Sequence, residues 1–215
     1  MRNAMKDEID MAARREAMLR EGFRLFSERG IEAVFMQEIA DACGLSLATL
    51  YRYYSNKLAL VIAIGTRKWQ DYAKYAKALI NKQVDNDMTA AQQLALHFDF
   101  YIDLYKNHKD LLRFNQNFNN YVRHEGASGD QLRPYISAVN ALGGFFHRIY
   151  EKGREDGTIR TDLPEDKMFA ATSHIMLAVA VRYAQGLLVF SEQEDDRTEE
   201  FELLKRALLR EYVTE

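Results

Sequence analysis

Ala48, Thr49, Arg52 and Tyr53 fall close together in a stretch, residues 37–57, that reads QEIADACGLSLATLYRYYSNK. If that stretch is helical, these four share one face and are free to meet DNA, where side chains touch phosphates and base edges. The spacing around them supports the helices. Met36, Ile39, Ala40 and Cys43 recur at i, i+3, i+4 and i+7. Leu47, Leu50, Tyr51 and Tyr54 repeat that spacing after Ser46, a residue type that caps helix N-termini. Gly44 stands between and can supply the positive φ of a tight turn. A short helix, a glycine turn and a second short helix make a helix-turn-helix, whose second helix enters the major groove while the first braces it. Ile39, Ala40, Leu45, Leu50 and Tyr54 can pack the pair together, and the small Ala40 and Ala42 allow close approach.

Other chemistry is poorly represented. No nucleophile motif, phosphate loop or paired-carboxylate signature stands out, so no enzyme activity and no cofactor are expected. His97, His108, His124, His147 and His174 show no HxxxH-type pairing, which argues against a metal site. The single cysteine, Cys43, forms no internal disulfide and sits on an apolar face; it reads as a small inert hydrophobe, with a redox switch as the alternative. A net charge of −3 means that any DNA binding must come from a small, well-aimed surface. The polar N-terminus does not read as a signal peptide. The apolar run Ile175–Val181 is too short to span a bilayer and is soon interrupted by Arg182. A soluble cytoplasmic protein without membrane contact is the expectation.

The elements that must position these residues are helical throughout. With 47% hydrophobic residues, 2 Pro and 11 Gly, the chain can build a proper core and few long loops. A first helix is predicted from about Asp7 to Arg29, with Leu19, Phe23 and Phe26 on one stripe and Gly30 as its stop. After the two short helices, a long one follows Ser55 and Asn56 to about Asn81. Thr89–Lys106 carries Leu94, Phe98, Tyr101 and Tyr105 on one face, and Leu111, Phe114, Phe118 and Tyr121 form the next stripe. Gly126–Gly129 reads as a loop. Pro134 is expected to open a helix through Tyr150, closed by Gly153 and Gly157. Pro164 should start a helix to Phe190, and the acidic link Glu192–Asp196 should lead to a last helix with Phe201, Leu204, Leu208 and Tyr212 aligned. The sum is an all-α chain of about nine helices with no convincing strand. The domain seam is expected near Lys57: a three-helix DNA-binding domain over residues 1–57, and a helical effector-binding and dimerisation domain over residues 58–215.

Taken together, Phe23-x-x-Phe26-x-x-x-Gly30, Glu38-Ile39-Ala40, Gly44-Leu45-Ser46, Thr49-Leu50-Tyr51-x-Tyr53-Tyr54 and Lys57 closely resemble the signature of the tetracycline-repressor (TetR) family of transcriptional regulators. The resemblance covers roughly Arg14 to Ile64. The turn Gly153-x-x-x-Gly157-x-Ile159-Arg160-x-Asp162, just before Pro164, is also a common family feature. The resemblance implies roles at matching positions. Gln37 would lie at a phosphate near the start of the bracing helix. Ser46, Leu47, Ala48 and Thr49 would face base edges. Tyr51, Tyr53 and Lys57 would grip phosphates, and Arg52 would make a bidentate contact to guanine. Members often carry Thr or Ser where this chain has Met36, which implies a lost cap and phosphate contact, and Lys where it has Leu47.

The resemblance further implies a homodimer reading a near-palindromic operator on double-stranded DNA, released by a small-molecule effector. Trp69, Tyr72, Phe98, Tyr101, Phe114, Phe118, Tyr121, Phe145 and Tyr183 are candidates to line an effector cavity for an apolar or aromatic ligand; their helical spacing fits ordinary core equally well. Ile175 and Val179, with Phe201, Leu204, Leu208 and Tyr212, are candidates for an isologous four-helix dimer interface. The competing class is an all-helical enzyme or small-molecule carrier that retains an unused helix-turn-helix.

Overall fold

The computed structural model describes residues 2–85, 87–186 and 196–214, with the side chains of residues 2–6 and 142 left aside. Among the described residues the chain forms ten α-helices and one 3₁₀ turn: α1 (Arg2–Arg29), α2 (Met36–Ala42), α3 (Leu47–Tyr53), α4 (Lys57–Gln83), α5 (Ala90–Asn107), α6 (Lys109–His124), α7 (Gly129–Val139), the 3₁₀ turn Asn140–Leu142, α8 (Gly143–Asp156), α9 (Glu165–Ala184) and α10 (Thr198–Tyr212). The only extended pairing among them is an isolated antiparallel bridge between Ile159 and Val213. The all-α expectation holds. The expected helix end at Phe190 and most of the acidic link Glu192–Asp196 lie outside the described residues.

Helix ends follow local chemistry. Gly30, at φ 82°, ends α1. The Asn56 carboxamide oxygen accepts the Ala59 N–H at 2.8 Å to start α4, and Thr89 and Gln92 form a reciprocal capping box on α5. Another box corrects the reading of Pro134. The Ser128 N–H donates to Gln131 Oε1 (2.8 Å) and the Gln131 N–H donates to Ser128 Oγ (3.3 Å). These bonds start α7 at Gly129, so Pro134 lies inside that helix rather than at its opening. The helix expected to run on to Tyr150 is in fact two, divided at the turn before Gly143 and Gly144, a pair poor in helix propensity.

The chain divides into two compact units. Unit 1 comprises Met1–Asp71 and Phe114–Val139. Phe23, Phe26, Ile39, Leu50, Leu60 and Ile64 are buried in its core, and the Phe23 and Phe114 rings meet at 5.4 Å. Gly65 of α4 faces a stacked pair, Phe118 and Tyr135, whose ring centres are 4.0 Å apart. A Cβ there would come within 3.0 Å of Phe118, so the missing side chain sets how closely the pair approaches the helix.

Unit 2 comprises Tyr72–Arg113 and Asn140–Glu215. Here α5 is the central element, packed against α8, α9 and α10. Tyr105, fully buried on α5, meets the Phe201 ring of α10 at 5.2 Å, and its hydroxyl oxygen accepts the Arg197 N–H at 3.0 Å. Gly153 of α8 lies against Ile159: a Cβ would stand 2.3 Å from Ile159 Cγ1. Beside it, the Arg160 N–H donates to the Tyr212 carbonyl at 2.7 Å and ties the loop to the end of α10.

Candidate functional site

The α2–turn–α3 segment is built from few residues. Phe35, with φ −91° and ψ 151°, occupies the N-cap of α2. The cap position therefore falls on Phe35 and not on Met36, which is already helical and buried against the core. A phenyl ring cannot accept the orphan N–H groups; instead Glu38 Oε2 accepts the Phe35 N–H at 2.8 Å. That bond, with the Arg29 guanidinium beside it, holds the Glu38 carboxyl below the usual carboxylate range. Gly44, at φ 64°, makes the turn, and the Leu45 N–H donates back to the Ala40 carbonyl at 2.9 Å. Ile39 and Ala40 are buried, whereas Ala42 is exposed: it lies on the far side of this short helix and takes no part in the close packing.

Ser46 caps α3, its Oγ accepting the Thr49 N–H at 3.2 Å. Leu50 is fully buried and anchors the helix. Ser46, Ala48, Tyr51 and Arg52 are exposed, and Leu47, Thr49 and Tyr53 are half-buried. Gln37 is exposed on α2, with its Nε2 donating to Asp41 Oδ1 at 2.6 Å. Tyr53 has the Arg15 guanidinium 6.0 Å from its ring centre. Lys57 is turned inward. Its Nζ donates to the Glu32 carbonyl at 3.3 Å and stands 5.5 Å from the Tyr121 ring, and burial pulls its pKa down. Cys43 is half-buried, and burial pushes its thiol up, away from the reactive thiolate.

The nine aromatic candidates for an effector cavity divide between the two units. Trp69, Phe114, Phe118 and Tyr121 are buried in unit 1. The Trp69 indole N–H donates to Asn115 Oδ1 at 3.3 Å, and the Tyr135 hydroxyl donates to the same oxygen. Tyr72, Phe98, Tyr101 and Phe145 are buried in unit 2. The Tyr72 hydroxyl donates to the Phe100 carbonyl at 2.5 Å, and the Tyr101 hydroxyl to Ser173 Oγ at 2.9 Å. Tyr183 stands apart from these four, against Tyr105 and Phe201, with its hydroxyl on Glu200; burial and that carboxylate push it up to about 12.

Sequence reasoning passed over the residue that unit 2 is arranged around. His97 is completely buried, and the rings of Phe98, Phe100, Tyr101, Phe145, Phe146 and Phe169 surround it, with centres 5.4–6.4 Å away. Neither ring nitrogen has a hydrogen-bond partner among the described residues. Burial pushes its pKa down to about 4, so it is neutral at ordinary pH. The run His97-Phe98-x-Phe100-Tyr101 was the available signal: a histidine amid aromatics on a core helix.

On the candidate dimer surface, Ile175 is exposed and Val179, Leu204 and Leu208 are half-buried. Phe201 and Tyr212 face inward instead. Phe201 is fully buried against Tyr105 and Tyr183, and Tyr212 lies within 3.4 Å of the Thr172 hydroxyl. Leu203, exposed on α10, was not singled out. His147, Glu151 and Glu165 bring possible metal-ligand atoms within 4.8 Å of one another. Their proximity is accounted for by an ion pair, since His147 Nδ1 sits 2.9 Å from Glu165 and that carboxylate raises the imidazole pKa.

Residues 18–64 match the family profile described as bacterial regulatory proteins, tetR family. The chain is similar to the HTH-type transcriptional activator FasR of Mycolicibacterium smegmatis, with 31% identity over 87 residues, a match spanning 40% of each protein. It is also similar to the HTH-type transcriptional repressor KstR2 of Rhodococcus jostii, with 25% identity over 165 residues covering 76% of each. Among solved structures, the transcriptional regulator FadR of Bacillus subtilis in complex with stearoyl-CoA shares the fold with a TM-score of 0.62. At 15% identity, that likeness covers 91% of this chain and 95% of that one.

Proposed function

Since this chain belongs to the tetR family of bacterial regulatory proteins, DNA-binding regulators of transcription, we propose that it is a homodimeric repressor released from its operator by a small apolar or aromatic molecule. The observation that carries this reading is the form of α3: Leu50 is sunk in the core while Ala48, Tyr51 and Arg52 are left in solvent on a helix of groove-reading length. Residues 1–57 read DNA in this proposal, and residues 58–215 hold the effector and the dimer contact. Arg52 reads guanine, Ser46, Leu47, Ala48 and Thr49 touch base edges, and Gln37, Tyr51 and Tyr53 hold phosphates. Lys57, directed at its own core, contributes through the position of the α4 start or by turning outward on binding.

Two recognition helices related by a dimer axis read a near-palindrome. The exposed or half-buried Ile175, Val179, Leu203, Leu204 and Leu208 supply apolar area for that dimer. The name of KstR2, a repressor, and the stearoyl-CoA bound to the Bacillus FadR structure support the repressor and apolar-ligand parts of the reading. The test is a titration of the purified chain against short fragments of its own upstream region. A shift whose affinity falls steeply with added salt, at a stoichiometry of two chains per site, is the expected result. Absence of any shift at low salt would favour a helical enzyme or carrier, and a strictly monomeric mass at micromolar concentration would remove the dimer.

A further inference from the structure

Unit 2 carries an open groove beside the His97 nest. It consists of two adjoining depressions that share Ile80, Phe145 and Arg148. One, of about 260 Å³, is completed by residues that include Lys74, Lys77 and Gly144. The other, of about 470 Å³, reaches Gln93 and Lys152, with Asp85 the one acidic residue on its wall. The lining combines the apolar Ile80, Val84 and Phe145 with the cationic Lys74, Lys77, Arg148 and Lys152, a combination complementary to an apolar molecule with an anionic end. Phe145 forms part of the wall. Its ring is almost wholly buried, with the Arg148 guanidinium 5.4 Å from its centre on one contact and the His97 imidazole 6.0 Å away on another. The Phe145 side chain thus touches both the groove and a buried histidine whose two nitrogens have no partner among the described residues.

Such a histidine is costly to the chain on its own, because its polar atoms lose water and gain nothing in return. A neutral imidazole offers one N–H donor and one lone pair on nitrogens that point apart, and a single hydroxyl can meet either one of them. The aromatic rings around it supply no competing polar group at that spot beyond the Tyr101 hydroxyl, already bonded to Ser173.

We propose that this groove is the effector site, taking an elongated apolar anion whose charged end lies among Lys74, Lys77 and Arg148 and whose far hydroxyl, entering past a displaced Phe145, hydrogen-bonds His97. The assignment rests on the reading of the chain as an effector-released regulator. Phe145 acts as a gate, since a ligand passing it must move its ring and disturb the Arg148 contact. His97 is then a specificity device: a ligand that carries an oxygen at the right depth pairs one of its nitrogens, whereas an unsubstituted chain leaves both unpaired.

Two probes test this on the full chain, ω-hydroxylauric acid and lauric acid, followed by calorimetry and by the imidazole nitrogen shifts in NMR. The wild-type chain is expected to bind the hydroxylated probe at least about tenfold more tightly, with a shift confined to one histidine. His97→Phe, which keeps a ring in the nest, is expected to erase that preference, and Lys74→Gln with Lys77→Gln to weaken both probes by a similar factor. Equal affinity for the two probes in the wild-type chain, no binding of either, or a preference that survives His97→Phe would each overturn the proposal. The DNA titration is scored separately. A chain that shifts DNA but binds neither probe keeps the regulator reading and loses this site; one that binds the hydroxylated probe through His97 without shifting DNA does the reverse.

Discussion

On α3, Ala48, Tyr51 and Arg52 face solvent, as does the capping Ser46 before it, and Leu50 alone is fully sunk. On α5, ten of the residues are buried, and these include the polar Gln93 and His97. The short helix gains its hold from one leucine, a serine cap and the glycine turn before it, so its polar side chains remain available to an outside partner. The long helix spends nearly every face on packing, so a polar group there is available only to something that enters the core. The contrast separates two kinds of recognition: one surface finished before its partner arrives, and one interior that a partner would complete.

The largest expected effect concerns the interior. The His97 imidazole is pushed from its ordinary value of 6.5 down to about 4. Between those values the unfolded chain binds the proton and the folded chain does not, so stability is complete above 6.5 and is lost as pH falls toward 4. The displacement corresponds to roughly 3 kcal/mol. Denaturant unfolding of the wild-type chain and His97→Phe across that window should show the difference. Parallel pH profiles for the two chains would mean that the nest does not hold the imidazole neutral, and the contrast with α3 would lose its physical basis.

The second effect concerns the exposed helix. Arg52→Ala should cost roughly 1–3 kcal/mol of operator affinity and relax discrimination at one base pair per half-site, while leaving the melting temperature nearly unchanged. An equal loss on every sequence would make Arg52 a phosphate contact instead. Loss of fold would show that α3 is less independent of its polar face than its burial pattern indicates.

The smallest effect sharpens the same point at the entrance of the bracing helix. Phe35 stands 71% exposed at the N-cap of α2, without a side-chain cap. Phe35→Thr should stabilise the chain by about 1 kcal/mol, read from thermal or denaturant melts, because a hydroxyl there can accept an orphan N–H. An unchanged or lowered stability would indicate that the Glu38 carboxylate already meets the need.

The helix-turn-helix was legible because its determinants are local: a cap, a turn glycine and an i, i+3, i+4 stripe fall within a few residues. Even there, small size suggested Ala42 for the packing and the family resemblance put the cap position at Met36, whereas in a helix as short as α2 the exact start and the inward edge are set by tertiary contacts. Pro134 misled for a related reason. A proline fits the first turn of a helix, but the Ser128–Gln131 box had already started one. The interior was legible only as burial. Spacing marks Trp69, Phe98, Phe118 and Phe145 as facing inward, but which rings meet depends on contacts between distant helices. The same limit applies to Phe201 and Tyr212, whose stripe on α10 is as compatible with the chain's own core as with a partner. The orphaned nitrogens of His97 leave no trace in the sequence, because being unpartnered is a property of all its neighbours at once.

The chain has one tryptophan, and the structure places it in unit 1, 4% exposed, with its indole N–H on the Asn115 carboxamide. Trp69 is therefore an optical label on a single unit. Emission excited in the indole band should be that of a shielded chromophore and should report the integrity of unit 1 alone. Far-ultraviolet dichroism, by contrast, sums the helices of both units. A melt recorded both ways will superimpose only if the two units unfold as one cooperative block, and a gap between the curves measures how far one can loosen while the other stays folded.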